Sequence, residues 1–212
     1  MVFDVSEVLA DARMLSQYDF FAKYFLGDDN WYIEKYLGHV GIEATDYITK
    51  YKKIVSEGLG IDQTEVYMSG SAKLGFSLSP PQKDKEEKLF KPFNDDEKIR
   101  KISDIDVAVV SDKLFSEYWM IYRQSYKKIY EGVYNPYVFR EIYRGIINEG
   151  NVEKIEGCRK KWNLMVIPIK AKLRKELFFK HDITFRVYRN KEDFEDYTKN
   201  IYRELRKRSD GL

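Results

Sequence analysis

Hydrophobic residues in the first third of the chain recur at the three- and four-residue spacing of amphipathic helices. This spacing predicts helices over about residues 6–27, 31–37 and 43–59. The first helix is expected to end at Gly27, and the third runs into Gly58 and Gly60, because glycine is common where helices end. No strand pattern precedes Gln63, so residues 1–60 are expected to form a helical N-terminal part.

Two short runs in the middle of the chain have the pattern of strands. Thr64 to Met68 is β-prone and leads directly into Ser69-Gly70-Ser71, which predicts a strand followed by a tight turn. Ile105 to Val110 is the clearest buried strand of the sequence. Ser111-Asp112 then offers an N-cap for the helix that follows.

Helical periodicity continues to about Phe179, with breaks near Asn135-Pro136 and Gly150-Asn151. Within this part, the run from Trp162 to Ile169 is compatible with either a strand or a helix. A closing helix is expected from about Asn190 through Leu205.

The segment from His181 to Tyr188 alternates between two faces, which predicts a half-buried strand. One face would carry polar and aromatic side chains and the other would be apolar. The first set is Asp182, Thr184, Arg186 and Tyr188, and the second is Ile183, Phe185 and Val187.

Together these elements predict an α+β fold, with a small mixed sheet packed against helices, a helical N-terminal segment and a C-terminal helix. The length of 212 residues fits a single domain over residues 1–212. Residues 61–212 would form its core and helical C-terminal part. A charged, proline-marked stretch over 79–101 is expected to be a surface insert of that core.

Composition excludes several classes of protein. Lys plus Arg (37) and Asp plus Glu (35) nearly cancel, so no overall basic field favours nucleic-acid binding. Cys158 is the single cysteine and cannot form an internal disulfide, and two histidines are too few for a zinc cluster. Neither a secretory signal nor a membrane-spanning run is present in the sequence, so a cytoplasmic protein with no membrane partner is expected.

The candidate chemistry lies around the predicted strands. Asp104 and Asp106 are two residues apart, so both carboxylates would project from one face and could share Mg²⁺ or Mn²⁺. Two such cations roughly 3.5–4 Å apart would neutralise a triphosphate and align an attacking oxygen. Paired acids on an apolar strand are costly to bury without a cation.

The turn at Gly70-Ser71 is the second part of the candidate site. Glycine lets the backbone approach a phosphate closely, and Ser71 adds a hydroxyl donor. Lys73 is two residues further on and could reach a phosphate oxygen. Gly75 permits another close approach or a sharp turn.

A strand ending in Gly70-Ser71, followed by Asp104-Ile105-Asp106 on the next strand, resembles the signature of the DNA polymerase beta-like nucleotidyltransferase superfamily. The resemblance covers roughly Val66 to Val110. It implies magnesium as the cofactor, a nucleoside triphosphate, expected to be ATP, as the donor, and a third acid on a later strand. Asp182 is the candidate for that acid, and Thr184 is the alternative occupant of its place.

Arg186 lies on the same predicted face as Asp182 and could contact the triphosphate or pair with a surface acid. The resemblance therefore implies three metal-binding and catalytic acids, Asp104, Asp106 and Asp182, and a nucleotide-binding set of Gly70, Ser71, Lys73, Gly75 and Arg186. The stretch over 79–101 makes the spacer between the two motifs long, and would place an insert at the mouth of the cleft.

The expected function is transfer of a nucleoside monophosphate to a hydroxyl of protein, RNA or a nucleotide, in a bacterial antiphage or toxin–antitoxin system with a partner effector or antitoxin protein. One alternative is an inactive nucleotidyltransferase fold that binds nucleotide or a partner protein. A cyclic-oligonucleotide synthase is another, although the chain is short for one. A nucleic-acid-binding adaptor would rest only on basic clusters, such as Arg159-Lys160-Lys161.

Overall fold

The computed structural model describes residues 3–80, 88–93, 102–126 and 136–209. These residues form a small mixed sheet packed between helices, which confirms the predicted α+β class. The helices are α1 (Val5–Met14), α2 (Gln17–Phe21), α3 (Ile42–Leu59), α4 (Gly70–Leu74), α5 (Asp112–Tyr126), α6 (Pro136–Tyr143), α7 (Glu149–Val152), α8 (Glu156–Leu177) and α9 (Lys191–Ser209). The strands are β1 (Val66–Ser69), β2 (Ile105–Val110), β3 (Ile146–Asn148) and β4 (Ile183–Tyr188). Single π-helical turns span Ala22–Leu26 and Tyr32–Tyr36, and a 3₁₀ turn spans Gln63–Glu65.

The strands are arranged in the order β1-β2-β4-β3, so β2 and β4 lie at the centre of the sheet. β1 is antiparallel to β2, β2 is parallel to β4, and β3 is antiparallel to β4. A parallel pair requires a long crossover connection, and the chain between β2 and β4 contains α5 to α8. Among the helices in the described ranges, none is both long and apolar enough for a membrane span.

Alternate residues of β2 and β4 face opposite sides of the sheet. The apolar face is buried in a core shared with α3, α5 and α8, and it consists of Ile105, Val107, Val109, Ile183, Phe185 and Val187. The opposite face, called here the cavity face, consists of Asp106, Ala108, Val110, Thr184, Arg186 and Tyr188. Its apolar members Ala108, Val110 and Tyr188 are buried in a second core with α1, α2 and α9. The predicted alternation therefore matches the two faces over residues 183–188, whereas Asp182 precedes β4.

Side-chain caps fix several helix ends. The Asp4 carboxylate accepts a hydrogen bond from the backbone N–H of Ser6 (2.8 Å) at the start of α1. The Ser111 hydroxyl accepts one from Leu114 N–H (3.3 Å), so Ser111 caps α5. The third predicted helix ends at Gly60, whose φ of 66° is the left-handed conformation that glycine tolerates best.

The structure differs from the sequence prediction in the first helix, in the tight turn expected at residues 69–71, where α4 begins at Gly70, and in β3. It also decides one segment that the sequence left open. The single helix expected up to Gly27 is two helices and a π-helical turn, because Ser16 caps a new helix by accepting from Asp19 N–H. The ambiguous run from Trp162 is helical, with Pro168 inside α8. β3 was not expected, since three residues are too short for a periodic pattern.

The expected break at Asn135 lies outside the described residues, as do residues 81–87 and 94–101 of the insert.

β3 pairs with only one end of β4, and beyond that end a buried carboxylate accepts the hydrogen bond of the next backbone N–H. The ladder between the two strands reaches Asn148 and Arg186. The neighbouring Phe185 N–H donates instead to Glu149 Oε2 at 2.7 Å. Lys170 Nζ lies 2.6 Å from the other carboxylate oxygen of Glu149. This buried ion pair ties α8 to the edge of the sheet.

Candidate functional site

A cavity of about 270 Å³ opens beside the ends of β1 and β2, on the cavity face of the sheet. Polar and charged residues line one part of it: Ser69, Gly70, Ser71, Ser77, Ser79, Lys88, Lys91, Ser103, Asp104, Asp106 and Arg186. An apolar and aromatic wall completes it: Phe25, Leu74, Leu78, Pro92, Ile102, Tyr188, Phe194, Tyr197 and Ile201. The predicted residues Gly70, Ser71, Asp104, Asp106 and Arg186 therefore surround one cavity.

Asp104 and Asp106 line this cavity because of their position on the central strand. Asp104 directly precedes β2, and Asp106 lies within it. Asp106 is paired with Ser69 of β1 on one side and with Thr184 of β4 on the other. Within the described part of the lining, these two residues are the only carboxylates.

Gly70 makes the close approach of β1 to Asp106 possible. Its φ of 66° lies in the left-handed region, where side chains with a Cβ are strained. A Cβ at this position would lie 2.4 Å from Asp106 Oδ2, which no real contact allows. The glycine therefore leaves space beside the carboxylate, and the donor set of carboxylate and hydroxyl oxygens is one that Mg²⁺ and Mn²⁺ accept.

Thr184 lies beside Asp106 on the neighbouring parallel strand. Its hydroxyl Oγ1 donates a hydrogen bond to Asp106 Oδ1 at 3.0 Å. This hydrogen bond orients the Asp106 carboxylate. Thr184 is thus the cross-strand neighbour of Asp106 on the cavity face.

Asp182 is not brought together with the other two acids. Its side chain is 90% exposed and forms an ion pair with Arg174 of α8, at 3.1 Å between Nη2 and Oδ1. It is not part of the cavity lining. Across the described ranges, no group of three or more His, Cys, Asp and Glu side chains is close enough to hold a metal ion. In this structure Asp182 does not complete a three-acid site.

Arg186 brings a positive charge to the inner wall of the cavity. Its guanidinium carbon lies 4.9 Å from the centre of the Tyr197 ring, a cation–π distance. Burial by itself lowers the pKa of Arg186. Interactions with Tyr188, Tyr197 and Asp106 outweigh the effect of burial and raise the pKa overall. The guanidinium therefore stays charged in the cavity that Asp106 also lines.

Lys73 is directed away from the cavity. It is 2% exposed, and its ammonium group donates to the backbone carbonyls of Gly27 and Asp29, the latter at 3.2 Å. Burial lowers its pKa to about 8, against the opposing influence of Asp28 and Asp29. Its contacts tie α4 to the N-terminal helical part, so this lysine has a structural environment in place of the phosphate contact expected for it.

Gly75 also lies outside the cavity lining. Its φ is 87°, and a Cβ there would lie 2.6 Å from Cδ1 of Trp31. The close approach that the sequence predicted at this glycine is therefore made to an indole ring of the same chain.

The insert contributes residues that sequence reasoning did not single out. Lys88 and Lys91 line the cavity, and residues 90–93 of the segment that carries them pair with residues 75–77. Ser77 N–H donates to the Lys91 carbonyl (2.8 Å), and Phe93 N–H donates to the Gly75 carbonyl (2.8 Å). Charge alone could not distinguish these lysines from the other lysines of the insert, because the pairing with residues 75–77 is a tertiary feature.

The aromatic wall comes from the end of β4 and from α9. The rings of Tyr188 and Phe194 are stacked, with their centres 4.3 Å apart, and Tyr197 meets Tyr188 edge-on at 5.7 Å. In the sequence these residues show only the period of a helix and a strand, so nothing distinguished them from ordinary core residues.

Comparison of the chain with protein-family models, with curated proteins and with solved structures gives no match. The functional argument therefore depends on the residues that line the cavity and on their contacts. Two carboxylates, three cationic side chains and an aromatic wall in one cavity are the features that a function has to explain.

Proposed function

We propose that this protein is a metal-dependent nucleotidyltransferase that uses a nucleoside triphosphate, with ATP as the first candidate, and Mg²⁺ or Mn²⁺. The observation that carries the proposal is the convergence of Gly70-Ser71, Asp104 and Asp106 on one cavity that also contains Lys88, Lys91 and Arg186. Carboxylates suit a divalent cation, and the cationic side chains suit the phosphates that accompany it.

The parts of the cavity have different roles in this proposal. Asp104 and Asp106 would hold the cation, which when bound neutralises phosphate charge and polarises the phosphorus that is attacked. Ser71 would donate a hydrogen bond to a phosphate oxygen, and the ammonium groups of Lys88 and Lys91 would hold the part of the triphosphate that leaves as pyrophosphate. The aromatic wall would receive the sugar or the base.

The direct test is incubation of the protein with Mg²⁺ or Mn²⁺ and each of the four α-³²P-labelled nucleoside triphosphates. Pyrophosphate release and transfer of label to protein, RNA or nucleotide are measured, and a labelled oligonucleotide product would identify a synthase. Asp104→Asn and Asp106→Asn should each reduce transfer by at least about 10²-fold, since each removes a charged metal ligand. Asp112→Asn is the matched control, because Asp112 is an exposed acid at the start of α5, outside the cavity. Full activity in both cavity variants would remove this assignment.

A second candidate is a protein of the same fold that binds nucleotide without transferring it. The observation that favours it is that neither candidate position adds a third carboxylate to the described cavity lining: Asp182 is exposed beside Arg174, and Thr184 lies next to Asp106. Calorimetric titration with each triphosphate in Mg²⁺ separates the two. Binding that is lost in Asp104→Asn, without turnover of any triphosphate, would support the second candidate against the first.

A further inference from the structure

The side chains that lie beside Asp106 across the sheet include fewer carboxylates than a pair of metal ions requires. Two divalent cations repel each other four times as strongly as two unit charges at the same distance. Bridging carboxylates normally offset that repulsion. Here the row consists of Ser69, Asp106 and Thr184, with two hydroxyls and one carboxylate.

The next row along the same face adds a positive charge. Arg186 follows Thr184 by two residues and therefore faces the same side of the sheet. Arg186 and Asp106 both line the same cavity, so both charges act on an ion bound there. A fixed guanidinium in this place repels a second cation.

The formal charges agree with this interpretation. Three carboxylates with two divalent cations leave a single net positive charge. Two carboxylates, one guanidinium and one divalent cation leave the same net charge. The described lining of the cavity contains the second set, Asp104, Asp106 and Arg186, together with Lys88 and Lys91, which are assigned above to the leaving pyrophosphate.

We infer that the site holds one divalent cation with its nucleotide, and that Arg186 supplies the fixed positive charge that a second cation would otherwise bring. The inference rests on the proposed nucleotide site and revises the expectation of two metal ions there. Thr184 is the neighbour of Asp106 on β4 and uses its hydroxyl to orient the Asp106 carboxylate. Arg186 acts as a positioning residue, held by Tyr188 and by the Tyr197 ring.

The test is the stoichiometry of Mn²⁺ binding, measured by electron paramagnetic resonance and by calorimetry on the whole chain. The α,β-methylene analogues of the four nucleoside triphosphates are added separately, because they cannot lose pyrophosphate. One Mn²⁺ per protein–nucleotide complex is expected for the natural sequence. Two Mn²⁺ per complex would overturn the inference and leave the proposed function standing. Absence of binding by every analogue would overturn both.

Variants at the two positions sharpen the result. Thr184→Asp should bind a second Mn²⁺ at least about tenfold more tightly than the natural sequence does, because it adds a hard anionic ligand beside Asp106. Thr184→Asn is the matched control of similar size without the charge, and it should keep one Mn²⁺. Arg186→Gln, which leaves Thr184 in place, should also strengthen binding of the second Mn²⁺. If Mn²⁺ binding is the same in all of these proteins, neither residue sets the number of cations and the inference fails.

Discussion

The two faces of β2 and β4 are built from alternate residues of the same two segments, yet they differ in chemistry. On the apolar face Val107 and Phe185 are adjacent and fully enclosed beneath α5 and α8. One residue earlier, Asp106 and Thr184 are adjacent on the cavity face and line or approach an open cavity. Neighbouring residues of each strand therefore belong to different environments, one to the packed core and the next to the candidate site.

The difference shows that the residues of one face are constrained by stability and those of the other by the environment of Asp106. Burial on the apolar face stabilises the sheet by roughly 25 cal/mol for each Å² of apolar surface removed from water. On the cavity face, Gly70, Thr184 and Arg186 each act on the Asp106 carboxylate through space, hydrogen bonding or charge. Substitutions on the two faces should consequently separate loss of stability from loss of binding.

The largest effect is expected from Phe185→Ala on the apolar face. This change removes a buried ring that packs near Trp162, and should lower the free energy of unfolding by about 3–5 kcal/mol. The comparison is Thr184→Val, its neighbour on the opposite face, which loses one hydrogen bond and should cost about 1 kcal/mol. Urea titration measures both, and equal losses would contradict the distinction between the faces.

Glu149→Ala tests the edge of the sheet and should lower the free energy of unfolding by about 3 kcal/mol. The change leaves Lys170 without its buried partner and the Phe185 N–H without its acceptor. Glu149→Gln is the matched control, because the amide oxygen can still accept from Phe185 N–H, and its loss should be smaller. If thermal unfolding gave equal losses for the two variants, the backbone hydrogen bond would contribute nothing measurable.

Lys73→Met tests whether the buried lysine is structural. The pKa of Lys73 is about 8 in the folded protein and 10.5 as its ordinary value, so the unfolded chain binds more protons between these limits. The free energy of unfolding should therefore rise with pH in this window, by at most about 1.4 kcal/mol per pH unit. The slope should be absent in the variant. The tyrosines contribute the same pH dependence of stability in the natural sequence and in the variant. Subtracting the two slopes therefore isolates the contribution of Lys73.

The smallest change in stability and the sharpest separation are expected from Gly70→Ala. Gly60 has the same φ of 66°, and a Cβ there would meet nothing within 4 Å, so Gly60→Ala is its matched control. Both variants should lose about 1 kcal/mol from backbone strain. Only Gly70→Ala should also weaken nucleotide binding in calorimetry, because its Cβ displaces the Asp106 carboxylate. Equal nucleotide affinity in the two variants would exclude Gly70 from the site.

The sequence predicted well those features that depend on local spacing. The alternation over residues 182–188 assigned Ile183 and Phe185 to one face and Thr184 and Arg186 to the other, as the structure has them. It did not predict β3, which has three residues and depends on pairing with β4. It also left the segment from Trp162 undecided, since a short apolar run has no period of its own to separate helix from strand.

By itself, the sequence determined that two carboxylates stand two residues apart at the start of a buried strand, with Asp104 directly before β2 and Asp106 within it, and side-chain alternation predicted that both would face one side. It also determined that a glycine stands where β1 ends. Only the tertiary structure decided which other charges reach these groups: Lys73 turns towards the backbone of the N-terminal part, Asp182 towards Arg174, and Arg186 towards Tyr188 and the Tyr197 ring in the cavity wall. The partner of a long side chain depends on distances and burial in the folded chain, and the spacing of residues along the sequence specifies neither of these.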